Sequence, residues 1–222
     1  MKISKFTVAI FVCVSIILSV IGFGSIADAS FLRLKTQAKM FALSLFPSTP
    51  LKTNQTLCYD VTTNTQTSCS NVTGQDGNYL KGQARSYTDN GDSTVTDNST
   101  GLMWQKCSVG RSGSTCATGS ATTMIWATTT AELSAVVTCQ DATTAGYTDW
   151  RLPNVNELQS LVDYSRVNPS INITYFPNTA ASNYWSASTF VNSPSIAWYA
   201  SFSYGYVYNL SKTNLYYVRC VR

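Results

Sequence analysis

Six cysteines, at positions 58, 69, 107, 116, 139 and 220, set the strongest limit on what this chain can fold into. In an exported protein an even set of cysteines pairs and ties the backbone into closed loops. A seventh, Cys13, sits apart in the N-terminal apolar run. The export reading rests on MKISKFTVAIFVCVSIILSVIGFGSIADAS: Lys2 and Lys5 precede an apolar run that starts at Phe6, and Ala27 and Ala29 form an A-x-A site before Ser30. Residues 1–29 are therefore expected to be a signal peptide, and the run is also long enough to serve as an uncleaved anchor. Lipidation of Cys13 is excluded, since Phe11 and Val12 stand where a lipidation signal needs small residues.

Losing residues 1–29 removes Lys2, Lys5 and Asp28, which lowers the net charge from +4 to +3 and leaves a length suited to one domain. Charged residues make up only 12% of the chain, so no basic stripe is available and nucleic acid is not an expected partner. The chain contains 0 histidines, which excludes Ser-His-Asp and Cys-His catalysis, imidazole general bases and His-ligated metal centres. Only Glu132 and Glu157 are glutamates, and pairing of all six mature cysteines leaves no thiolate nucleophile. The expectation is a protein that is not an enzyme and needs no cofactor.

Residues 30–56 read as a loosely amphipathic helix followed by a Pro47/Pro50 linker, with Arg33, Lys35 and Lys39 available to hold the helix on a lipid surface. Membrane contact is expected only through this N-terminal portion. Cys58 and Cys69 bracket a Thr/Asn-rich hairpin, and Cys107 and Cys116 bracket the loop SVGRSGST; each pair is placed to form its own bridge. Between them, two extended runs flank Asn90-Gly91-Asp92-Ser93, a hairpin signal. Asp89, Asp92 and Asp97 are close enough in sequence to be candidate calcium ligands, but they miss the D-x-[DN]-x-[DN]-G pattern, and aspartates in turns commonly cap their own backbone. No metal is expected.

Trp126, Leu133, Val136 and Val137 fall at near-helical spacing, predicting a helix that ends by Gly146 despite five threonines in residues 122–130. A second helix is predicted from GYTDWRLPNVNELQSLVDYS. Asn154 and Glu157 form a capping-box arrangement, Pro153 keeps Leu152 extended, and Leu158, Leu161 and Val162 make the buried stripe. Arg151 is expected to pair with Asp149, Glu157 or Asp163, with capture of an anionic ligand as the alternative, and Trp150 is expected in the core. The tail turns to period-2 alternation, placing Trp198, Ala200, Phe202 and Tyr204 on one face, with Gly205 at a hairpin turn.

The motifs YTDNGDSTVTDNSTGLMWQKC, AGYTDWRLPNVNELQSLVDYS, YWSAST and YVRCVR, in this order, resemble the Lcl C-terminal domain family of exported bacterial domains, over about residues 57–222. The resemblance implies an α+β, C-type-lectin-like fold related to that of formylglycine-generating enzymes: two helices and a twisted antiparallel sheet of short strands, stapled by disulfides. Within that fold Cys139 on the first helix bridges to Cys220 on the last strand, alongside Cys58–Cys69 and Cys107–Cys116. The lectin calcium motifs do not occur, the paired catalytic cysteines of formylglycine-generating enzymes are not recognisable, and the collagen-like stalk of the adhesin that names the family is missing. Glycosaminoglycan binding, a property within the family, suits a mature charge of +3 poorly.

The expected function is a secreted or cell-surface, non-catalytic binding or adhesion module that recognises glycan or a surface protein. Tyr199, Tyr204, Tyr206, Tyr208, Tyr216 and Tyr217 are the candidate ligand residues, and Arg151 a further one. The alternatives are an envelope structural or protein-interaction domain without a small ligand and, behind it, an enzyme on the related scaffold. Sequons at Asn54, Asn71, Asn98, Asn172 and Asn209 would carry glycans only in a eukaryotic host. Thiol labelling of the folded, processed and unreduced protein is expected to find no free cysteine; one reactive thiol per chain would refute complete pairing.

Overall fold

Strands form where Tyr, Trp and β-branched residues concentrate, since such side chains pack well on a pleated surface. In the computed structural model, which describes residues 50–127 and 134–222, the tail supplies most of the principal sheet. Its members are β8 (Thr123–Met124), β9 (Asn183–Thr189), β10 (Ile196–Ser201), β11 (Val207–Ser211) and β12 (Tyr216–Tyr217), arranged β11-β10-β9-β12-β8. The expected leader, the amphipathic stretch as far as residue 49, Glu132 and Leu133 lie outside the described residues. All pairings in this sheet are antiparallel except β9 with β12, which run parallel with Tyr217 opposite Tyr184. The wholly antiparallel sheet expected above is corrected to that extent, because the chain returns to the sheet centre after the β10–β11 hairpin has occupied the edge.

Three smaller sheets complete the architecture. β1 (Cys58–Tyr59) pairs with β2 (Gln66–Thr67), β3 (Tyr87–Asp89), β4 (Thr94–Asp97) and β5 (Met103–Gln105) form a meander, and β6 (Arg111–Ser112) pairs with β7 (Thr118–Gly119). The β3–β4 turn uses the predicted residues: the Asp89 carboxylate accepts from the Gly91 N–H, and Asp92 accepts from the Thr94 N–H. These Asx contacts offer the backbone a local partner where the ladder stops.

The helices are short: α1 (Asp76–Tyr79), α2 (Ala135–Gln140) and α3 (Val155–Ser160). The helix predicted to begin near Trp126 is corrected. Thr123 and Met124 belong to β8, and the Trp126 N–H donates to the Lys212 carbonyl. Threonine loses side-chain freedom in a helix and suits a strand, and α2 starts after Ser134, whose Oγ accepts from the Val137 N–H. In α3 the capping box is complete: the Asn154 side chain accepts from the Glu157 N–H at 2.9 Å, and the Glu157 carboxylate accepts from the Asn154 N–H at 2.8 Å.

Both faces of the principal sheet are covered, so neighbouring residues in one strand are both buried. Tyr184, Ala200 and Tyr217 pack with Leu158, Leu161, Val162 and Phe202; Trp185, Tyr199 and Tyr216 pack with Cys139, Trp150 and Leu152. The predicted single face of Trp198, Ala200, Phe202 and Tyr204 therefore breaks down. β10 ends at Ser201, its register against β9 shifts between Ala197 and Tyr199, and the turn carries Tyr204 into solvent. Gly205 occupies that turn at φ 80°, where a Cβ would approach Val162 Cγ1 to 2.8 Å.

The C-terminal tail joins these parts. Met103 and Arg222 exchange backbone hydrogen bonds, as do Arg151 and Val221, while the Val109 and Gln105 N–H groups donate to the Val218 and Cys220 carbonyls. Disulfides join Cys58–Cys69, Cys107–Cys116 and Cys139–Cys220. The last spans 81 residues and the first 11. In the loop-entropy account, replacing Cys139 and Cys220 by serine is expected to cost roughly 4.5 kcal/mol against about 3 for Cys58 and Cys69. Urea unfolding of the two double variants checks this order; an equal or reversed loss would show that loop length does not govern the effect.

Candidate functional site

The register of the principal sheet brings aromatic side chains into one row. Tyr208 on β11 lies opposite Tyr199 on β10, Tyr199 lies opposite Trp185 on β9, and Tyr216 on β12 lies opposite Met124 on β8. Ring centroids are 6.5 Å apart for Tyr199–Tyr208, 6.3 Å for Trp185–Tyr199, 4.5 Å for Trp185–Tyr216 and 4.9 Å for Tyr199–Tyr216. Tyr206 joins the group at 6.3 Å from Tyr199. Aromatic pairs of this kind contribute about 0.5–1.5 kcal/mol each beyond their buried area, so the row is stiff as well as apolar.

Exposure grades along the row. Trp185 is fully buried and Tyr199 is 4% exposed, whereas Tyr206 and Tyr208 are 47% and 57% exposed. The sheet thus ends, at its β11 edge, in two open phenol rings backed by a packed aromatic floor. Burial, with the adjoining phenols of Tyr206, Tyr216 and Tyr208, pushes the Tyr199 hydroxyl far above its ordinary range, which keeps the floor uncharged. Of the six candidate tyrosines, the structure gathers Tyr199, Tyr206, Tyr208 and Tyr216. Tyr217 faces the other side, 5.4 Å from Tyr184, and Tyr204 stands exposed in the turn. Between Val167 and Val218 the only charged residue is Lys212, whose Nζ donates to Thr189 Oγ1 and lies 3.8 Å from the Trp126 ring centroid.

Arg151 does not join this face. Its Nη1 and Nη2 donate to Glu157 Oε2 and Oε1 at 2.7 and 2.8 Å. Of the other carboxylates considered for it, Asp149 takes Arg222 and Asp163 takes Arg166. Trp150 is buried and its indole N–H donates to the Thr144 carbonyl. The three candidate metal ligands each serve their own turn: Asp89 also pairs with Lys106 at 2.6 Å, Asp92 accepts from Thr94, and Asp97 accepts from the Ser99 N–H. Among the described residues no group of three His, Cys, Asp or Glu is placed to hold a metal ion.

Sequence reasoning missed Arg219, which is fully buried and has no carboxylate partner among the described residues. Its guanidinium donates to the Gln105 carbonyl, the Lys106 carbonyl, Ser108 Oγ and Thr179 Oγ1, and it lies over the Phe176 ring at 4.9 Å. Desolvation pulls its pKa down to about 10, still far above neutrality, so the charge persists in the interior. The only available signal was its place beside Cys220 in YVRCVR, which says nothing about burial. Arg222 in the same motif turns outward, with its guanidinium over Tyr147 at 3.7 Å.

Residues 93–222, more than half of the chain, match the Lcl C-terminal domain family. An α+β domain of short strands and helices, stapled by three disulfides, is thereby placed: the chain belongs to the Lcl C-terminal domain family. The match begins at Ser93, inside the β3–β4 turn, so the Cys58–Cys69 hairpin precedes it. No curated protein and no solved structure matches the chain.

The Arg151–Glu157–Asn154 group gives a pH prediction. Burial alone would raise the Glu157 pKa, but the hydrogen bonds from Arg151 and the Asn154 N–H, with the Arg151 charge, together hold it below the usual range. A carboxylate with a depressed folded pKa stabilises above the unfolded pKa and loses that contribution as pH falls through the folded one. The Glu157→Gln variant is expected to be about 1–2 kcal/mol less stable than wild type at pH 7. Denaturant curves taken down through the acid range should show this gap closing below the normal glutamate pKa of roughly 4.3; a gap independent of pH would place the effect in packing.

Proposed function

We propose that this chain is an exported, non-catalytic recognition domain of C-type-lectin-like architecture, whose β11 edge stacks neutral sugar rings on Tyr206 and Tyr208. The observation that carries this reading is the pair of open phenols over the buried Tyr199–Trp185 floor. A tyrosine presents an apolar ring face and a polar hydroxyl together, which matches the alternating C–H faces and hydroxyl rims of a pyranose. The scarcity of charge in this part of the chain favours a neutral glycan over a sulfated one. Three disulfides support an oxidising, extracytoplasmic setting, and a glycan or protein partner on a cell surface fits it.

One feature supports a second reading, a protein-interaction domain without a small ligand. β11 is the edge of its sheet, and an edge strand retains unpaired backbone groups that can accept a partner strand. A glycan array run at low and physiological salt separates the readings. The expected result is binding to neutral saccharides that is insensitive to salt and falls about tenfold in Tyr206→Ala or Tyr208→Ala, with a stability loss no larger than about 0.5–1.5 kcal/mol, the contribution of the lost pair with Tyr199. Retention only of sulfated glycans, lost as salt rises, would overturn the neutral-sugar reading, and a blank array would leave the strand-addition reading.

A further inference from the structure

A second concavity lies away from the tyrosine row, between the Cys107–Cys116 loop and the α2 side of the chain. Its volume is about 480 Å³, within the roughly 300–1,000 Å³ of small-molecule sites. The wall mixes apolar surface with the polar side chains of Asp92, Gln105, Arg111, Ser112, Thr138 and Thr144. The wall is also pinned. The Cys107–Cys116 disulfide closes the loop on one side, α2 is tied to the tail by Cys139–Cys220, and Gln105 Nε2 donates to Thr144 Oγ1 at 2.9 Å between them. At Gly110 in the same wall, φ is 89° and a Cβ would collide with the Ser120 carbonyl and Thr122 Oγ1. The backbone there is held in a conformation that only glycine adopts freely.

Two opposite charges line this space without neutralising each other. Asp92 uses its Oδ1 to accept from the Thr94 N–H and Oγ1, and no ion pair reaches it among the described residues. Arg111 donates through Nη1 to the Cys116 carbonyl at 3.1 Å, and no ion pair reaches its guanidinium among the described residues. A guanidinium without a carboxylate partner suits a ligand carboxylate through a charge-assisted bond. Asp92 offers the matching acceptor for an ammonium group.

We propose that this crevice binds a small zwitterionic solute of dipeptide size, its carboxylate held by Arg111, its ammonium by Asp92 and its peptide amide by Gln105 and the threonine hydroxyls. The site shares no residue with the tyrosine row, so it stands or falls separately from the glycan reading.

Isothermal titration of the full chain with alanyl-alanine tests it. Saturable binding is expected, weakened about tenfold or more when the dipeptide is N-acetylated or C-amidated, and to a similar degree in Asp92→Asn and Arg111→Gln. The Tyr206→Ala/Tyr208→Ala variant should bind the dipeptide as wild type does. The end-blocked ligands on the unmodified protein keep the test meaningful even if a variant misfolds. No heat at about 10 mM dipeptide, equal affinity for free and end-blocked forms, unchanged affinity in both charge variants, or loss of binding in the tyrosine variant would each overturn the proposal.

Discussion

The burial of Arg219 is the constraint on which the remaining structure depends. A guanidinium in the interior is costly unless its donors find acceptors, and here Nη1 donates to two carbonyls at the end of β5 and Nη2 to Ser108 and Thr179, while the buried Nε–H has no partner among the described residues. These acceptors come from separate stretches of the chain, so the charge is accommodated only once the meander, the Cys107–Cys116 loop and the segment before β9 have converged on the tail. The neighbouring residues extend the convergence: Val218 and Cys220 accept from Val109 and Gln105, Val221 pairs with Arg151, and Cys220 is bound to Cys139. The last seven residues act as the axis around which the small sheets are assembled.

That axis also explains why so weakly helical a chain forms a stable sheet with two covered faces. The parallel placement of β12 beside β9 puts Tyr216 and Tyr217 on opposite sides, one against Trp185 and the other against Tyr184. Aromatic packing therefore continues through the sheet centre and opens to solvent at Tyr206 and Tyr208, where the sheet ends at β11. The tyrosines that reach solvent there are held by buried ones behind them, and a rigid ring loses little entropy when a ligand stacks on it.

Much of the local structure is legible in the sequence. Asn154 and Glu157 cap α3, Asn90-Gly91 turns the β3–β4 hairpin and Gly205 turns the β10–β11 hairpin, because capping and turn chemistry involve residues a few positions apart. The pairing of Arg151 was anticipated as a choice among three carboxylates, and geometry selected Glu157, whose carboxylate also reaches the Asn154 N–H. The reading failed where one pattern admitted two outcomes. Trp126 was assigned to a helix by spacing alone, but the threonines around it favour extended chain and its indole is committed to the Ser186 carbonyl. Tyr204 was placed on the sheet by alternation, which cannot reveal that β10 stops at Ser201.

By itself the sequence determined the family, the exclusion of histidine chemistry, the local caps and turns, and an aromatic, nearly uncharged tail. These follow from residue identity and short-range spacing. Only the tertiary structure decided which tyrosines stand together, that Arg219 is buried on carbonyl and hydroxyl acceptors, and that Asp92 and Arg111 line one crevice. The reason is physical: cross-strand register and the meeting of distant segments depend on how both faces of the sheet fill, and no local period records that.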